Sequence, residues 1–351
     1  MKKILLFVVI FSLALFVANA QELTQIFKVD SGGTLTWFQT TGDETRGMCY
    51  NPGTGHLLVV DRDSTAGNKV HKLDATTGAD QGNLDDGGGY TGGTFLINKI
   101  DATSDGVIYL CNLALAAGNF KIYRYAIEAS APTAAYTEIG VANRLGDEIS
   151  VTGTGTGTKI LVTGDLRTVL AKFTTADGNT FTKTEVTPGN PDFGFGSAGA
   201  GFTNVVWDPN GTDYWAARSY NSLSDGTIYK YNGLTDQGVG SLTRLAADSP
   251  GGSGPFDVKL IGTELFIAFG PGSANSGGAT NVYCTFYDVF GIAHLYRTGS
   301  IEYTGGMKAN GNGSGDVSIN ASTRKVYVLL TNNSISGWNL PGSGVQDWNL
   351  Y

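Results

Sequence analysis

The stretch from Arg46 to Leu84 decides the fold: RGMCYNPGTGHLLVVDRDSTAGNKVHKLDATTGADQGNL. It reads as an apolar strand, an Asn-Pro-Gly turn, the apolar run His56–Arg62, a loop, the run Lys69–Asp74, and a turn before a short edge. Gly, Asn and Pro between short apolar runs indicate antiparallel hairpins. The stretch therefore predicts one four-stranded antiparallel unit, and the rest of the chain repeats it.

The second strand of this unit returns along the chain as a near-continuous apolar run. Runs of this kind are typical of strands with both faces covered. They are HLLVVDR (56–62), GVIYLCN (106–112), TKILVTGD (158–165), DYWAARS (213–219), ELFIAFG (264–270) and KVYVLLT (325–331). A third strand follows each one: KVHKLDA, FKIYRYA, VLAKFTT, TIYKYNG, NVYCTFYD and SISGWNL.

The spacing of the first strands gives the architecture. They begin at about Gly47, Thr94, Glu148, Phe202, Phe256 and Asp316, in steps of 47, 54, 54, 54 and 60 residues. A period of about 50 residues with four short strands is the signature of a β-propeller blade. The sequence predicts an all-β, six-bladed β-propeller of four-stranded antiparallel blades. Seven blades would need a further apolar triplet, and a β-helix or sandwich accounts poorly for the long period.

The last blade has three recognisable strands, so its outer strand is expected from the N-terminus. Two segments qualify: Gln25–Asp30 (QIFKVD) and Thr34–Phe38 (TLTWF). An N-terminal strand that completes the last blade closes the ring and removes an open sheet edge. The sequence leaves the choice between them open.

Residues 1–20 read as a signal peptide rather than as part of the fold. Lys2 and Lys3 precede the apolar run ILLFVVIFSLALFV, and Ala18-Asn19-Ala20 fits the cleavage pattern. The alternative, a transmembrane anchor, would need a longer apolar run. We therefore expect one propeller domain at residues 21–351, located outside the cytoplasm: secreted, periplasmic or at the cell surface.

Charge and composition narrow the range of partners. Without Lys2 and Lys3, 21 basic residues face 31 acidic ones, a net charge of −10. This balance disfavours nucleic acid and anionic membranes as partners. With 51 glycines and only 15% charged residues, the composition favours a turn-rich β exterior. We expect a monomer without membrane insertion.

The three cysteines are Cys49, Cys111 and Cys284, each inside an apolar strand pattern. They are predicted to be small buried side chains. A disulfide between Cys49 and Cys111 stays open, because sequence does not fix pairing.

Several blocks resemble a family of secreted bacterial β-propeller proteins of uncharacterised function. The most specific is RGMCYNP…HLLVVDR…KLDATTGA; the others are GGTFLINKI, RLGDEISVTG and ANGNGSGDVSIN…TNNSISGWNL. The resemblance covers nearly all of the chain after residue 20. It implies the propeller fold and export, and it implies no catalytic residue.

Ligands of propellers usually bind over the central channel, near the starts of the first strands. That geometry selects Arg46, Thr94, Asp147, Glu148 and Asp316 as central-channel candidates, with Asp257 as a less certain addition. They could form a polar funnel for a sugar, peptide or cation. Alternatively, the acidic side chains cap strands by binding backbone amides across the channel. Arg46 could pair with Asp147 or Asp316.

No cofactor or metal site is predicted. His56, His71 and His294 lie in different repeats without a metal-binding spacing. DRDSTAGN (61–68) places Asp at alternate positions but lacks the Gly and terminal Glu of a calcium loop, so it is interpreted as a solvated loop. The Gly-rich runs, such as 194–201 and 270–280, have no following Lys-Ser/Thr and do not indicate a phosphate site.

The sequence thus favours a non-catalytic scaffold that recognises a glycan, peptide or surface partner through one rim. The alternative is an extracytoplasmic carbohydrate-active hydrolase or lyase that uses carboxylates in the central funnel. Propellers host both classes, so the fold does not choose between them.

Overall fold

The computed structural model describes residues 21–65, 67–164, 170–189, 202–218, 227–243, 254–270, 285–288, 292–310 and 314–340. The predicted signal peptide, Cys284, the run 194–201 and most of the run 270–280 lie outside these ranges.

The regular structure of the described residues is almost entirely β-strand; within them, the one helical element is a 3-10 turn at Gly155–Gly157. The strands are, in chain order, β1 (Gln21–Glu22), β2 (Thr24–Asp30), β3 (Thr45–Asn51), β4 (His56–Asp61), β5 (Lys69–Asp74), β6 (Asp80–Asn83), β7 (Phe95–Ala102), β8 (Ile108–Leu113), β9 (Phe120–Tyr125), β10 (Thr133–Glu138), β11 (Glu148–Thr152), β12 (Lys159–Thr163), β13 (Leu170–Thr174), β14 (Thr182–Val186), β15 (Phe202–Trp207), β16 (Tyr214–Arg218), β17 (Thr227–Tyr231), β18 (Gly238–Thr243), β19 (Phe256–Ile261), β20 (Glu264–Phe269), β21 (Thr285–Asp288), β22 (Ile292–Arg297), β23 (Gly315–Asn320), β24 (Lys325–Leu330) and β25 (Ser334–Asn339).

These strands form consecutive antiparallel sheets in a propeller-like arrangement. Sheets 1 to 4 consist of β3–β6, β7–β10, β11–β14 and β15–β18. Sheet 5 consists of β19–β22, to which β1 adds a fifth, parallel strand. Sheet 6 consists of β23–β25 and β2. Five of the sheets therefore have four antiparallel strands each, as the repeat predicts.

The first strands of the sheets lie around a common axis. Each contacts the first strand of the next sheet, in the order β3, β7, β11, β15, β19, β23, and β23 contacts β3 again. The sheets thus pack face to face around a channel lined by their first strands.

Six apolar clusters lie between consecutive sheets, which explains the continuous apolar runs in the sequence. In β4, Leu57 and Val59 pack toward sheet 6, whereas Leu58 and Val60 pack toward sheet 2. All four side chains are fully buried. Successive residues of a strand point to opposite faces, so a strand between two covered faces needs apolar residues at every position.

The N-terminal strand completes sheet 6. β2 pairs antiparallel with β25, with Val29 opposite Ile335 and Phe27 opposite Gly337. Of the two candidate segments, Gln25–Asp30 therefore supplies the outer strand. The other segment, 34–38, forms no strand but buries Leu35 and Phe38 against the same sheet.

Cys49 and Cys111 are free, buried thiols, 3% and 0% exposed, in different apolar clusters. The prediction of small buried side chains is confirmed for these two, and the alternative of a disulfide between them is wrong. No helix in the described part of the chain is long and apolar enough to cross a membrane.

The contact between β2 and β25 gives a first prediction. A methyl group at Gly337 would lie 2.6 Å from Phe27 Cε1, whereas one at Gly240 in β18 would meet nothing within 4 Å. We expect Gly337→Ala to lower the free energy of unfolding by about 1–3 kcal/mol, because overpacking moves β2 away. Gly240→Ala should change it by less than about 0.5 kcal/mol. Urea unfolding measures both, and equal midpoints for the two variants would contradict this packing.

Candidate functional site

The channel is lined by strands that each form the edge of a sheet. β3, β7, β11, β15, β19 and β23 are terminal in their sheets, so one row of their backbone amides has no partner within the sheet. Buried amides without an acceptor are costly, and acceptors must come from elsewhere.

For β3, β11, β15 and β23, side chains of a neighbouring first strand supply acceptors. Each oxygen lies on one first strand and accepts from an amide of the next, in the same direction around the channel. The pairs are Asp101 Oδ2 with Val151 N (2.7 Å), Ser150 Oγ with Trp207 N (3.0 Å), Asp257 Oδ2 with Ile319 N (2.7 Å), Asp316 Oδ2 with Met48 N (2.9 Å) and Ser318 Oγ with Tyr50 N (2.9 Å).

Gly47 allows β3 and β7 to approach most closely. A methyl group at this position would lie 2.9 Å from both Lys99 Cα and Asn98 O. Only glycine fits such a contact between two backbones without a shift. The Arg-Gly-Met block therefore has a packing role at the channel wall.

Lys99 projects into the channel beside this contact and binds three oxygens. Its Nζ lies 3.0 Å from Glu148 Oε2, 3.1 Å from Asp316 Oδ2 and 3.0 Å from Gly315 O. Glu148 lies on the next strand, whereas Asp316 lies two strands away, beyond β3. The ammonium therefore links three sheets across the channel.

Burial and charge act in opposite directions in this cluster. Burial raises the pKa of Glu148, and the Lys99 charge opposes that rise without cancelling it. Burial likewise raises the pKa of Asp316, again opposed by Lys99. Burial lowers the pKa of Lys99, but Asp316 and Glu148 together raise it above its ordinary value. One ammonium serves two carboxyl groups, so one carboxyl tends to hold a proton.

A cavity of about 420 Å³, the size of a small-molecule site, adjoins this cluster. It extends from Glu148 and Asp316 to the turns that follow the first strands, at Pro52, Ser104 and Pro209. Its polar lining includes Asp101, Ser150, Asp257, Lys259 and Ser318. The cavity thus reaches from the starts of β11 and β19, at Glu148 and Phe256, to the turns that follow the first strands.

Like Glu148 and Asp316, the cavity residues Asp101 and Lys259 have shifted pKa values. Burial raises the pKa of Asp101 to about 7; Lys259 opposes the shift, and Asp257 adds to it. Burial lowers the pKa of Lys259, but Asp257 and Asp101 raise it above its ordinary value. Lys259 Nζ binds Asp257 Oδ1 at 2.9 Å.

The sequence-predicted candidates separate into two groups. Glu148 and Asp316 meet at Lys99, and Asp257 lines the cavity. Arg46 donates from Nε to the Asp43 carbonyl at 2.9 Å, and burial lowers its pKa. Asp147 binds Arg144 at 2.7 Å, and the Thr94 amide donates to Leu113 O at 2.7 Å. These last three residues are absent from the cavity lining.

The sequence analysis missed Lys99, Asp101 and Lys259. The signal was present, because each pairs with a polar residue two positions away in an otherwise apolar strand: Lys99 with Asp101, and Asp257 with Lys259. Residues two apart in a strand share a face. Polar residues at this spacing in a first strand mark the channel wall.

No protein-family model matches the chain, and no curated protein matches it. Among solved structures, it is similar to the crystal structure of a DUF4623 family protein from Bacteroides eggerthii, with a TM-score of 0.62 and 16% identity. The likeness covers 92% of this chain and 77% of that one. At this identity the likeness concerns the fold alone. Together, this likeness and the arrangement of the sheets identify the fold as a β-propeller. The family of the blade signature stays a prediction.

The Lys99 cluster gives a second prediction. Lys99→Met leaves two buried carboxyl groups without their cation, so we expect a loss of about 3–5 kcal/mol of stability near neutral pH. The loss should shrink in acid, because protonated carboxyls no longer need the cation. Lys121→Met, which removes an ammonium bonded to Thr91 Oγ at the surface, is the control. Unfolding curves at several pH values measure the effect, and a fully stable Lys99→Met would contradict the assigned role.

Asp101 gives a third prediction, on pH dependence. Its folded pKa, about 7, lies above the value of 3.8 for an unperturbed Asp, so the folded state holds a proton that the unfolded state releases. Stability from this group is therefore full below about pH 4 and is lost as the pH rises toward about 7, at roughly 1 kcal/mol per pH unit. In Asp101→Asn the contribution of this group should vanish and the measured slope should become shallower, while Glu148 and Asp316, whose pKa values are also raised, still contribute. Melting temperatures at a series of pH values compare the proteins, and an unchanged slope would argue against the shift.

Proposed function

We propose that the protein is an exported, non-catalytic six-bladed propeller that binds a glycan, peptide or surface partner through one rim. Two features support six blades: the cyclic contacts of the first strands, and the apolar clusters between consecutive sheets. Sheet 5, with its additional strand β1, then counts as one blade.

Export is proposed from the sequence of residues 1–20. A monomer is proposed as well, since a closed ring leaves few open strand edges for pairing with another copy. Size-exclusion chromatography with light scattering tests the monomer, and N-terminal sequencing of the exported protein tests cleavage before Gln21.

The observation that carries the non-catalytic role is the engagement of the channel carboxylates. Glu148 and Asp316 each bind Lys99, so the two bound oxygens lie within about 6 Å of one another, a spacing that glycosidases use. A glycosidase, however, needs one carboxyl free to donate a proton and one free to attack or activate water. Here Asp316 also accepts the Met48 and Val317 amides, and Glu148 accepts the Ile149 amide. The pair is committed to holding strands together.

The enzymatic alternative draws support from Asp101. A carboxyl with a pKa of about 7 beside Asp257 in a small-molecule cavity has the protonation behaviour of a general acid. Its two oxygens, however, accept the amides of Ala102 and Val151, which favours a structural role for them.

Glycan and peptide arrays probed with residues 21–351 test the proposal, followed by product analysis of every hit. We expect binding without turnover. Turnover that is lost in Asp101→Asn or Asp316→Asn, with Asp147→Asn as the control, would establish the hydrolase or lyase instead. Circular dichroism confirms that each variant is folded.

A further inference from the structure

We infer that the cavity of the channel binds a small ligand through a primary ammonium group, with Asp101 as its counter-charge. This inference rests on the proposed binding role and names the chemistry of its ligand.

Several carboxylates line the cavity wall. Most of the lining carboxylates have a cationic partner in the protein: Glu148 and Asp316 share Lys99, Asp257 binds Lys259 at 2.9 Å, and Asp208 binds Lys230 at 2.8 Å. Asp101 differs from them. Its described hydrogen bonds come from the backbone amides of Ala102 (2.8 Å) and Val151 (2.7 Å). Lys259 also acts on its charge but binds Asp257, so one ammonium faces two carboxylates and ionised Asp101 leaves this group with a net negative charge.

The contact between β7 and β11 does not require a charge at position 101. Ser150 and Ser318 perform the same task, accepting an amide of the next first strand, with a neutral hydroxyl. A carboxylate at the Asp101 position brings a desolvation penalty that a hydroxyl avoids. A cation bound in the cavity would remove that penalty.

The cation that fits this cavity best is an organic ammonium, not a metal ion. A metal ion needs several oxygen or nitrogen ligands, and among the described residues no group of three or more His, Cys, Asp or Glu side chains is arranged to provide them. An organic ammonium needs one carboxylate and a few further acceptors. An anion is disfavoured, because the Lys259 ammonium already binds Asp257.

The volume of the cavity limits the size of the ligand. A cavity of about 420 Å³ admits a ligand of monosaccharide or single-residue size, with hydroxyls of Ser150 and Ser318 on its wall. Ser150 directly precedes Val151, whose amide binds Asp101, and both Ser150 and Asp101 line the cavity. An amino sugar and a lysine side chain both offer the required ammonium.

Isothermal titration with two amines tests the inference: 6-amino-6-deoxyglucose and the lysine derivative Nα-acetyl-lysine amide. Their matched controls without a charge are glucose and the Nε-acetylated lysine derivative. We expect at least one amine to bind, at least about tenfold more tightly than its neutral control. Binding of the amino sugar would identify a glycan as the source of the amine, and binding of the lysine derivative would identify a peptide.

Asp101→Asn should weaken amine binding by about tenfold or more, whereas Asp147→Asn, outside the cavity lining, should leave it unchanged. Lowering the pH from about 7 to about 5 should weaken binding by up to about tenfold per pH unit, because a proton competes with the ammonium for Asp101.

Three results would overturn the inference: no amine binding by the folded wild-type protein up to about 10 mM, equal binding of the neutral controls, or full binding by Asp101→Asn. If the arrays nevertheless find another ligand, the binding role survives and only the amine site fails. If neither arrays nor amines give binding, both fail.

Discussion

The whole structure depends on one constraint: the innermost strand of every sheet has amides that its own sheet cannot satisfy. In an open sheet such an edge would face water. Around a narrow channel the amides are buried, and oxygen atoms of the neighbouring strand must accept them. The Asp and Ser side chains of the first strands do this in one direction around the axis, as Asp316 does for Met48 and Ser150 for Trp207. The channel is polar because the backbone requires it.

That requirement creates a second one, since carboxylates in a confined space must be compensated. Lys99 compensates Glu148 and Asp316 together, and Gly47 allows the backbone at Lys99 to lie close to β3. Removing the charge from such a cluster is costly, whereas an apolar replacement of the whole cluster need not be. The cluster therefore contributes more to the choice of which strands lie next to one another than to the free energy of unfolding.

The sequence predicted the strands well and the channel chemistry poorly. Runs such as His56–Asp61 are recognisable because burial of both faces leaves few alternatives to an apolar residue at each position. The order of the strands followed from their period. The close approach of β3 and β7 at Gly47, and the reach of Lys99 to Glu148 and Asp316 on two other strands, depend on the three-dimensional arrangement of the sheets. The cavity beside the cluster extends to the turns that follow the first strands, which the analogy with other propellers did not indicate.

The first strands use two kinds of side-chain acceptor for these amides, neutral hydroxyls and charged carboxylates. A hydroxyl at Ser318 and a carboxylate at Asp101 satisfy equivalent amides, yet only the carboxylate has a burial-raised pKa, and that shift opposes folding as the pH rises. A group that costs stability where a neutral residue would serve needs a reason other than the fold. In this channel the adjacent cavity offers that reason, because a cationic ligand would convert an unfavourable buried charge into a specific contact.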